Sequence, residues 1–299
     1  MVGGAGFIGR AVVQELERQG ARPLVVDRVG VAPLDIIAAD AEARLQARFR
    51  VAGTQVVLHL AARVDPSANA AEREAARRLH EDGTRAVVRA ARAAGVGRFV
   101  LVSSATVYGA HADNPVPLDE SAPLRPNAFA YAEDKLAQEA VVAREGQGLS
   151  VAVARPAIVY GASARNYLTE VFTRAPVLPA LDGARPPLQF VHVGDVASAL
   201  ATLALGDAEG PFNVAPADWL SFDEVARLAG RRVLAVPSRA LAPFLDLGAR
   251  FLPAHLRAPA AMVPYLKHPF VLSARRLMEQ TRWQPRFSSA DALREVLRR

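Results

Sequence analysis

Gly3-Gly4-Ala5-Gly6-Phe7-Ile8-Gly9 decides the fold of this 299-residue chain. Gly3, Gly6 and Gly9 recur at every third position, and an amphipathic pattern (Ile8, Val12, Val13, Leu16) comes directly after. Such spacing predicts a tight turn from a strand into a helix. It also lets a pyrophosphate approach the amides at the helix N-terminus, where the macrodipole favours an anion. Glycine-rich turns are common, so the weight rests on the next segment of the chain. Pro23-Leu24-Val25-Val26-Asp27 reads as a buried parallel strand ending in a carboxylate, eighteen residues after Gly9. An acidic residue at about that distance grips the ribose hydroxyls of NAD. Gly3, Gly6, Phe7, Ile8, Gly9 and Asp27 are therefore candidate cofactor-binding residues. Only Met1 and Val2 precede the turn, although the strand that feeds it is central in a doubly wound sheet. The expectation is that the working protein starts earlier, by about five to eight residues, one ordinary strand.

The chain beyond the turn alternates strand and helix patterns. Leu34-Asp35-Ile36 reads as the end of a third strand, with Asp35 and Ile36 placed to flank an adenine. Asp40 to Phe49 reads as a helix. Gln55 to Ala62 is a short apolar run bounded by small residues, as a buried strand needs if its end (Leu60, Ala61, Ala62) passes close to a cofactor. His59 has no partner at metal-ligand spacing and reads as a packed structural histidine. A long helical pattern covers Ala68 to Ala94 and stops at Gly95 and Gly97; Arg98 to Ser104 is a strand, Ala128 to Arg144 a helix, and Leu149 to Arg155 a strand closed by Pro156. This βαβ rhythm predicts an α/β fold, a doubly wound parallel sheet of Rossmann type. After Gly161 the rhythm breaks at Pro176, Pro179, Pro186 and Pro187, which predicts a smaller C-terminal lobe. We therefore expect a nucleotide domain over 1–157 and a mainly substrate-binding lobe over 158–299, with about 189–215 returning to the first domain. Ser221 with Glu224 and Ser288 with Asp291 read as capping boxes, and Leu241 to Leu252 as an apolar core or lid helix.

Bulk properties narrow the class. Hydrophobic residues make up 51% and charged residues 22%, which is globular. There is no cysteine, so disulfides and thiol chemistry are excluded and a cytoplasmic setting fits. No run is long and apolar enough for a membrane span. The net charge of +6 invites a nucleic-acid reading, but the arginines are spread through helices among alanines and acidic residues, without interleaved aromatics. A positive field that attracts anionic cofactors is the simpler account.

Two stretches carry chemistry. Ser103-Ser104-Ala105-Thr106-Val107-Tyr108-Gly109 closes the strand at 98–104, and Tyr131-Ala132-Glu133-Asp134-Lys135 lies on the next long helix. Tyr131 and Lys135 are four apart and share a helix face. A phenol of pKa about 10 is a poor base at neutral pH, and a nearby ammonium favours its ionised form. Ser104 can hydrogen-bond the substrate oxygen, so Ser104, Tyr131 and Lys135 are the candidate catalytic residues, with Tyr131 and Lys135 also reaching the nicotinamide ribose.

With these motifs in place the chain resembles the extended short-chain dehydrogenase/reductase family, also called the NAD-dependent epimerase/dehydratase family. The resemblance rests on the glycine-rich turn, His59-Leu60-Ala61-Ala62, Ser104 to Gly109, Tyr131 with Lys135, Arg155 to Gly161, Phe190 to Val196 and Trp283-Gln284-Pro285. It implies an NAD domain with a C-terminal substrate lobe, Pro156 near the cofactor, and hydride transfer at a carbon bearing hydroxyl or ketone. Tyr131 would be the acid/base, supported by Lys135, with Ser104 positioning a small-molecule substrate. It also implies a homodimer through the helices at 68–94 and 128–144. Sugar-nucleotide members usually carry asparagine where this chain has Ile158 and often arginine where it has Leu188. Losing both removes a polar contact and a charge-assisted phosphate contact, the latter worth roughly 1.5–3 kcal/mol; Arg185 is close enough in sequence to compensate. The Asp-Glu pair of the 4,6-dehydratases is replaced by Ala105 and Thr106. His80 stands where the family has asparagine. Asp134 stands where it often has serine, and beside Lys135 it reads as a solvated carboxylate. Asp27 favours NAD over NADP, because it would repel a 2′-phosphate, although Arg28 and Arg10 leave room for NADP. The leading reading is an NAD-dependent oxidoreductase. A sugar-nucleotide epimerase and a non-catalytic NAD-binding sensor are the alternatives.

Overall fold

Eight strands are described: β1 (Val56–His59), β2 (Arg98–Val102), β3 (Ser150–Pro156), β4 (Ile158–Tyr160), β5 (Val177–Leu181), β6 (Phe190–His192), β7 (Gly210–Val214) and β8 (Arg232–Val236). The structure is a computed structural model and describes residues 1–30, 32–63, 70–162, 164, 177–239 and 260–298. The main sheet runs β1-β2-β3-β7, all parallel, with Val57 opposite Phe99, Phe99 opposite Val151 and Val153 opposite Pro211. Beyond β1, Val2 bridges both His59 and Val26 in parallel. Its amide donates to the Leu58 carbonyl at 2.8 Å, and the Gly3 amide donates to the Val26 carbonyl at 2.9 Å. Met1 and Val2 thus hold the central sheet position that feeds the glycine-rich turn.

Parallel strands need both faces covered, and alternate side chains do this here. Leu58, Val100 and Val102 pack with α1 (Phe7–Arg18) and the helix Val193–Leu205 on one face. Val57, Phe99 and Leu101 pack with α2 (Ala41–Val51) and α4 (Thr84–Ala93), which continues α3 (Ala70–Arg78), on the other. The α/β doubly wound expectation therefore holds. Two local expectations do not. Pro23 to Asp27 is not a buried strand: only Val26 bridges, while Leu24 and Val25 are 37% and 40% exposed. Leu34-Asp35-Ile36 forms no strand; Leu34 and Ile36 turn into the core as a bend that ties the Leu34 amide to the Asp27 carbonyl. Without a third strand beyond it, Val26 has a partner on one side only, so its neighbours lie open to solvent.

The long helix is one path with a defect. Between α3 and α4 the turn Leu79–Gly83 is a π-turn, which turns His80 and Gly83 inward. Tyr131 and Lys135 sit on α5 (Ala130–Glu145). Both capping boxes form, at Ser221/Glu224 and Ser288/Asp291. The helix expected at Leu241 to Leu252 lies outside the described residues, as do Ala68 and Asn69.

Candidate active site

The turn Gly3–Gly9 leaves the central strand position, and its spaced glycines Gly3, Gly6 and Gly9 each answer a different constraint. Gly3 has φ +87°, and a methyl there would lie 2.5 Å from the Ala61 amide nitrogen. Gly9 is packed under the turn, where a methyl would sit 2.7 Å from the Gly4 carbonyl oxygen. Gly6 is exposed and a methyl would meet nothing nearer than 3.6 Å, so the space in front of it is free. Gly6 caps α1 without a side-chain bond, and the first turn holds no acidic residue. The amides there remain available to an anion.

A cavity of about 310 Å³ opens at this turn. Among the candidate cofactor residues it is lined by Gly3, Gly6, Asp27, Ile36, Leu60, Ala61 and Ala62. Phe7, Ile8, Gly9, Asp35, Tyr131, Lys135 and Pro156 are not in its wall. Phe7 and Ile8 pack into the hydrophobic clusters behind the turn, Asp35 accepts the Ile37 amide at 3.2 Å, and Pro156 is buried at the end of β3 opposite Val214. Asp27 Oδ2 accepts the Ala5 amide at 3.0 Å and Oδ1 the Arg28 amide at 2.7 Å. The carboxylate is therefore fixed at the cavity wall before any ligand arrives. Uncapped amides, a turn whose cradle a Cβ would fill and a fixed carboxylate together fit a dinucleotide.

The second cluster sits at the C-terminal ends of the same strands. Ser104, extended just past β2, accepts the Thr106 amide and hydroxyl at 3.2 and 3.0 Å. The Ser104 hydroxyl acts on the Tyr131 hydroxyl and favours its ionised form. Lys135 is buried, with Nζ 5.7 Å from the Tyr131 ring centre. Its ammonium donates to the Val102 carbonyl (2.8 Å) and Gln138 Oε1 (2.9 Å). Gln138 donates in turn to Thr84 Oγ1 at 2.8 Å, and His59 Nε2 lies 3.0 Å from that same hydroxyl. Burial pushes His59 down to about 3, so it is the neutral packed histidine the sequence implies. The structure thus brings Ser104, Tyr131 and Lys135 together.

The electrostatics differ from the expectation that Lys135 drives Tyr131 towards phenolate. Burial pushes the Tyr131 hydroxyl up to about 12; the Ser104 bond opposes this and the Asp134 charge adds to it. Burial also pushes the Lys135 ammonium down to about 7. Burial thus disfavours the charged forms of both Tyr131 and Lys135.

Asp134 corrects the reading as a solvated carboxylate. It is 3% exposed, pairs with Arg73 at 2.6 Å and lies 3.0 Å from His80 Nδ1. Burial works against its charge, but His80 and Arg73 hold the carboxyl below its usual range. Spacing carried the missed signal: Asp134 is i+3 from Tyr131 and so shares its face, whatever its angle to Lys135. Arg185, which the sequence offers as a compensating contact, is exposed and pairs with Asp223 at 2.5 Å.

A doubly wound sheet that brings a dinucleotide-type turn and a Ser–Tyr–Lys cluster to one set of strand ends defines a Rossmann-type oxidoreductase. The chain belongs to the NAD dependent epimerase/dehydratase family, whose model matches residues 1–215. It is 31% identical over 210 residues to the ceramide reductase of Caulobacter vibrioides, covering 67% of this chain and 58% of that protein. Over 218 residues it is 31% identical to a 4-hydroxy-2-methyl-3-oxo-4-farnesyl-3,4-dihydroquinoline-1-oxide ketoreductase of Stigmatella aurantiaca, covering 68% and 63%. The chain thus matches less than two thirds of the length of these two relatives. Its fold is similar to that of UDP-glucose-4-epimerase from Stenotrophomonas maltophila, solved with bound NAD and formylated UDP-arabinopyranose (TM-score 0.76, 22% identity, covering 99% and 96%). Among the described residues no helix is long and apolar enough to cross a membrane, and no group of side chains has metal-site geometry.

Proposed function

We propose that this chain is an NAD-dependent reductase or dehydrogenase acting on a hydroxyl/ketone carbon of a substrate that is not anchored by phosphate. The observation that carries the reading is the convergence of Ser104, Tyr131 and Lys135 in a chain whose glycine-rich turn opens a cavity lined by Gly3, Gly6 and Asp27. Gly3, Gly6, Asp27, Ile36, Leu60, Ala61 and Ala62 would hold the dinucleotide, which supplies or accepts the hydride. Asp27 favours NAD over NADP through its charge. Ser104 orients the substrate oxygen and Tyr131, protonated at neutral pH, gives its hydroxyl proton to that oxygen as the alcohol forms. Lys135 fixes the Tyr131 side of the site through Val102 and Gln138. The wall next to Tyr131 is apolar: Phe129, Met262, Tyr265 and Phe270 pack around it. Two relatives named as a reductase and a ketoreductase fit that wall better than a sugar diphosphate does. A division at about 157, with 189–215 returning, cytoplasmic residence and a homodimer through the helices at 68–94 and 128–144 complete the proposal.

Turnover of NADH against a panel of apolar ketones tests it. Tyr131→Phe is expected to lower kcat by about 10²–10⁴-fold while NADH affinity stays unchanged. Full turnover in that variant would overturn the assignment. One NAD per chain surviving dialysis would point instead to an epimerase, which recycles its cofactor in place.

A further inference from the structure

Hydride transfer with Tyr131 as proton donor leaves His80 and Asp134 unused, although both are buried beside it. His80 sits in the π-turn Leu79–Gly83 and is fully buried. Its Nε2 accepts the Arg63 backbone N–H at 3.2 Å, which assigns the proton of the neutral ring to Nδ1, 3.0 Å from Asp134 Oδ2. Arg63 directly follows Ala61 and Ala62 of the cavity wall, and Leu79, next to His80, is in that wall too. On the other side the His80 ring stands edge-on to Tyr131, with centroids 6.2 Å apart at 70°. Arg73 clamps Asp134 with bonds of 2.6 and 2.7 Å and donates at 3.3 Å to the carbonyl of Ala130, the first residue of α5. One histidine therefore touches the cavity loop, the catalytic helix and the catalytic tyrosine. Nothing in plain packing requires a buried ion pair at that point, and π-turns concentrate where a helix serves a site.

Resting on the reductase reading and deepening it, we propose that His80 and Asp134, clamped by Arg73, form a positioning pair that ties the cofactor-cavity loop to Tyr131 and sets the charge in which its hydroxyl works. The groups facing Tyr131 are Lys135 and Asp134 on its own helix, His80 and Arg73 on the long helix and Ser104 after β2; Glu133 acts on Arg73 from the exposed side. Asp134 is the negative charge that disfavours phenolate, and Arg73 offsets part of it. Removing Asp134 therefore eases ionisation of Tyr131, and removing Arg73 resists it.

The test needs no substrate. Phenolate absorbance near 295 nm is followed by stopped-flow pH jumps, with Tyr131→Phe subtracted to isolate Tyr131. Asp134→Asn is expected to lower its midpoint and Arg73→Gln to raise it, each by about one unit, the scale of one partly screened charge nearby. Simple loosening of the site would move both variants down towards free tyrosine, so shifts in the same direction overturn the proposal. NADH fluorescence titration supplies the other arm. His80→Phe is expected to weaken binding about tenfold, by removing the ring nitrogen that accepts from the Arg63 amide, and His80→Asn, which keeps an acceptor, to restore most of it. Unchanged binding in His80→Phe also overturns the pair. If Asp134→Asn fails to fold, Arg73→Gln and His80→Phe still decide. Failure of the unmodified protein to bind NADH would instead defeat the underlying functional reading.

Discussion

Replacing Gly6 and Gly9 separately by alanine splits cofactor binding from folding. A methyl at Gly9 would lie 2.7 Å from the Gly4 carbonyl oxygen and closer still to that of Gly3. Both are backbone atoms under α1, so they cannot swing aside, and the helix must shift off the turn. Overpacking of that kind costs about 1–3 kcal/mol, a fall in Tm of roughly 2–8 °C for a chain of this size. Gly6 is different: its φ of −70° suits alanine, and the nearest atom to a methyl is 3.6 Å away. The fold should hold to within about 0.5 kcal/mol. The methyl instead stands at the cavity wall, where it keeps an anion off the uncapped amides of α1. Losing one charge-assisted bond of about 1.5–3 kcal/mol weakens NADH about ten- to a hundredfold. Thermal melts without ligand and NADH fluorescence titrations measure the two effects. Gly6→Ala should show a wild-type melt and poor binding; Gly9→Ala should show both defects. Wild-type NADH affinity in Gly6→Ala would refute the assignment of the turn as the pyrophosphate site.

The same geometry sets three further outcomes. Lys135 ionises at about 7 in the fold against 10.5 when free, so the unfolded chain binds more protons across that window and stability rises with pH through it; Lys135→Met should flatten this slope in urea titrations run at several pH values. Gly83→Ala puts a methyl 2.7 Å from Ile36 Cδ1, and Ile36 must turn into the cavity, so NADH binding should weaken about fivefold, ~1 kcal/mol. Glu139 pairs with the 5%-exposed Arg155 at 2.6 Å; Glu139→Ala leaves that guanidinium buried and unpaired and should cost about 3 kcal/mol in denaturant unfolding.

The glycine spacing and the apolar runs at 55–60, 98–103 and 149–155 made the sheet legible, because buried parallel strands read as unbroken apolar stretches. The same rule misread Pro23 to Asp27. Apolar content marks a segment that can be buried, but burial also needs a neighbour, and no strand forms at Leu34–Ile36 to supply one. Ser104, Tyr131 and Lys135 were legible because i+4 spacing and a strand end are local features. The charge state of Tyr131 was not, since it depends on burial and on Asp134. Nor was the π-turn, which shifts the helical register and places His80 where a regular helix would not. His80 and Asp134 are 54 positions apart and meaningful only as a pair, which a reading of each in its own segment cannot find.

The substrate side shows how a family departure becomes a structural commitment. Leu188 is 8% exposed and exchanges both backbone hydrogen bonds with Leu220 at 2.8 Å, in an antiparallel bridge. Its side chain belongs to the hydrophobic cluster of Tyr160, Phe190, Phe222 and Leu293. An arginine there would have to leave that cluster to reach a diphosphate, and the lobe would lose the contact. In this chain Leu188 serves packing. Arg185, the one nearby replacement suggested by the sequence, is held by Asp223 on the surface. Phe129, Met262, Tyr265 and Phe270 cluster with Tyr131, so on the proposed function the contacts near the reacting carbon would be apolar. Affinity should therefore track the hydrocarbon surface of the substrate, at about 25 cal/mol per Å² buried, rather than its charge. A series of ketones of rising chain length should show falling KM with little salt dependence. A KM that instead rises steeply with ionic strength would return the site to phosphate recognition.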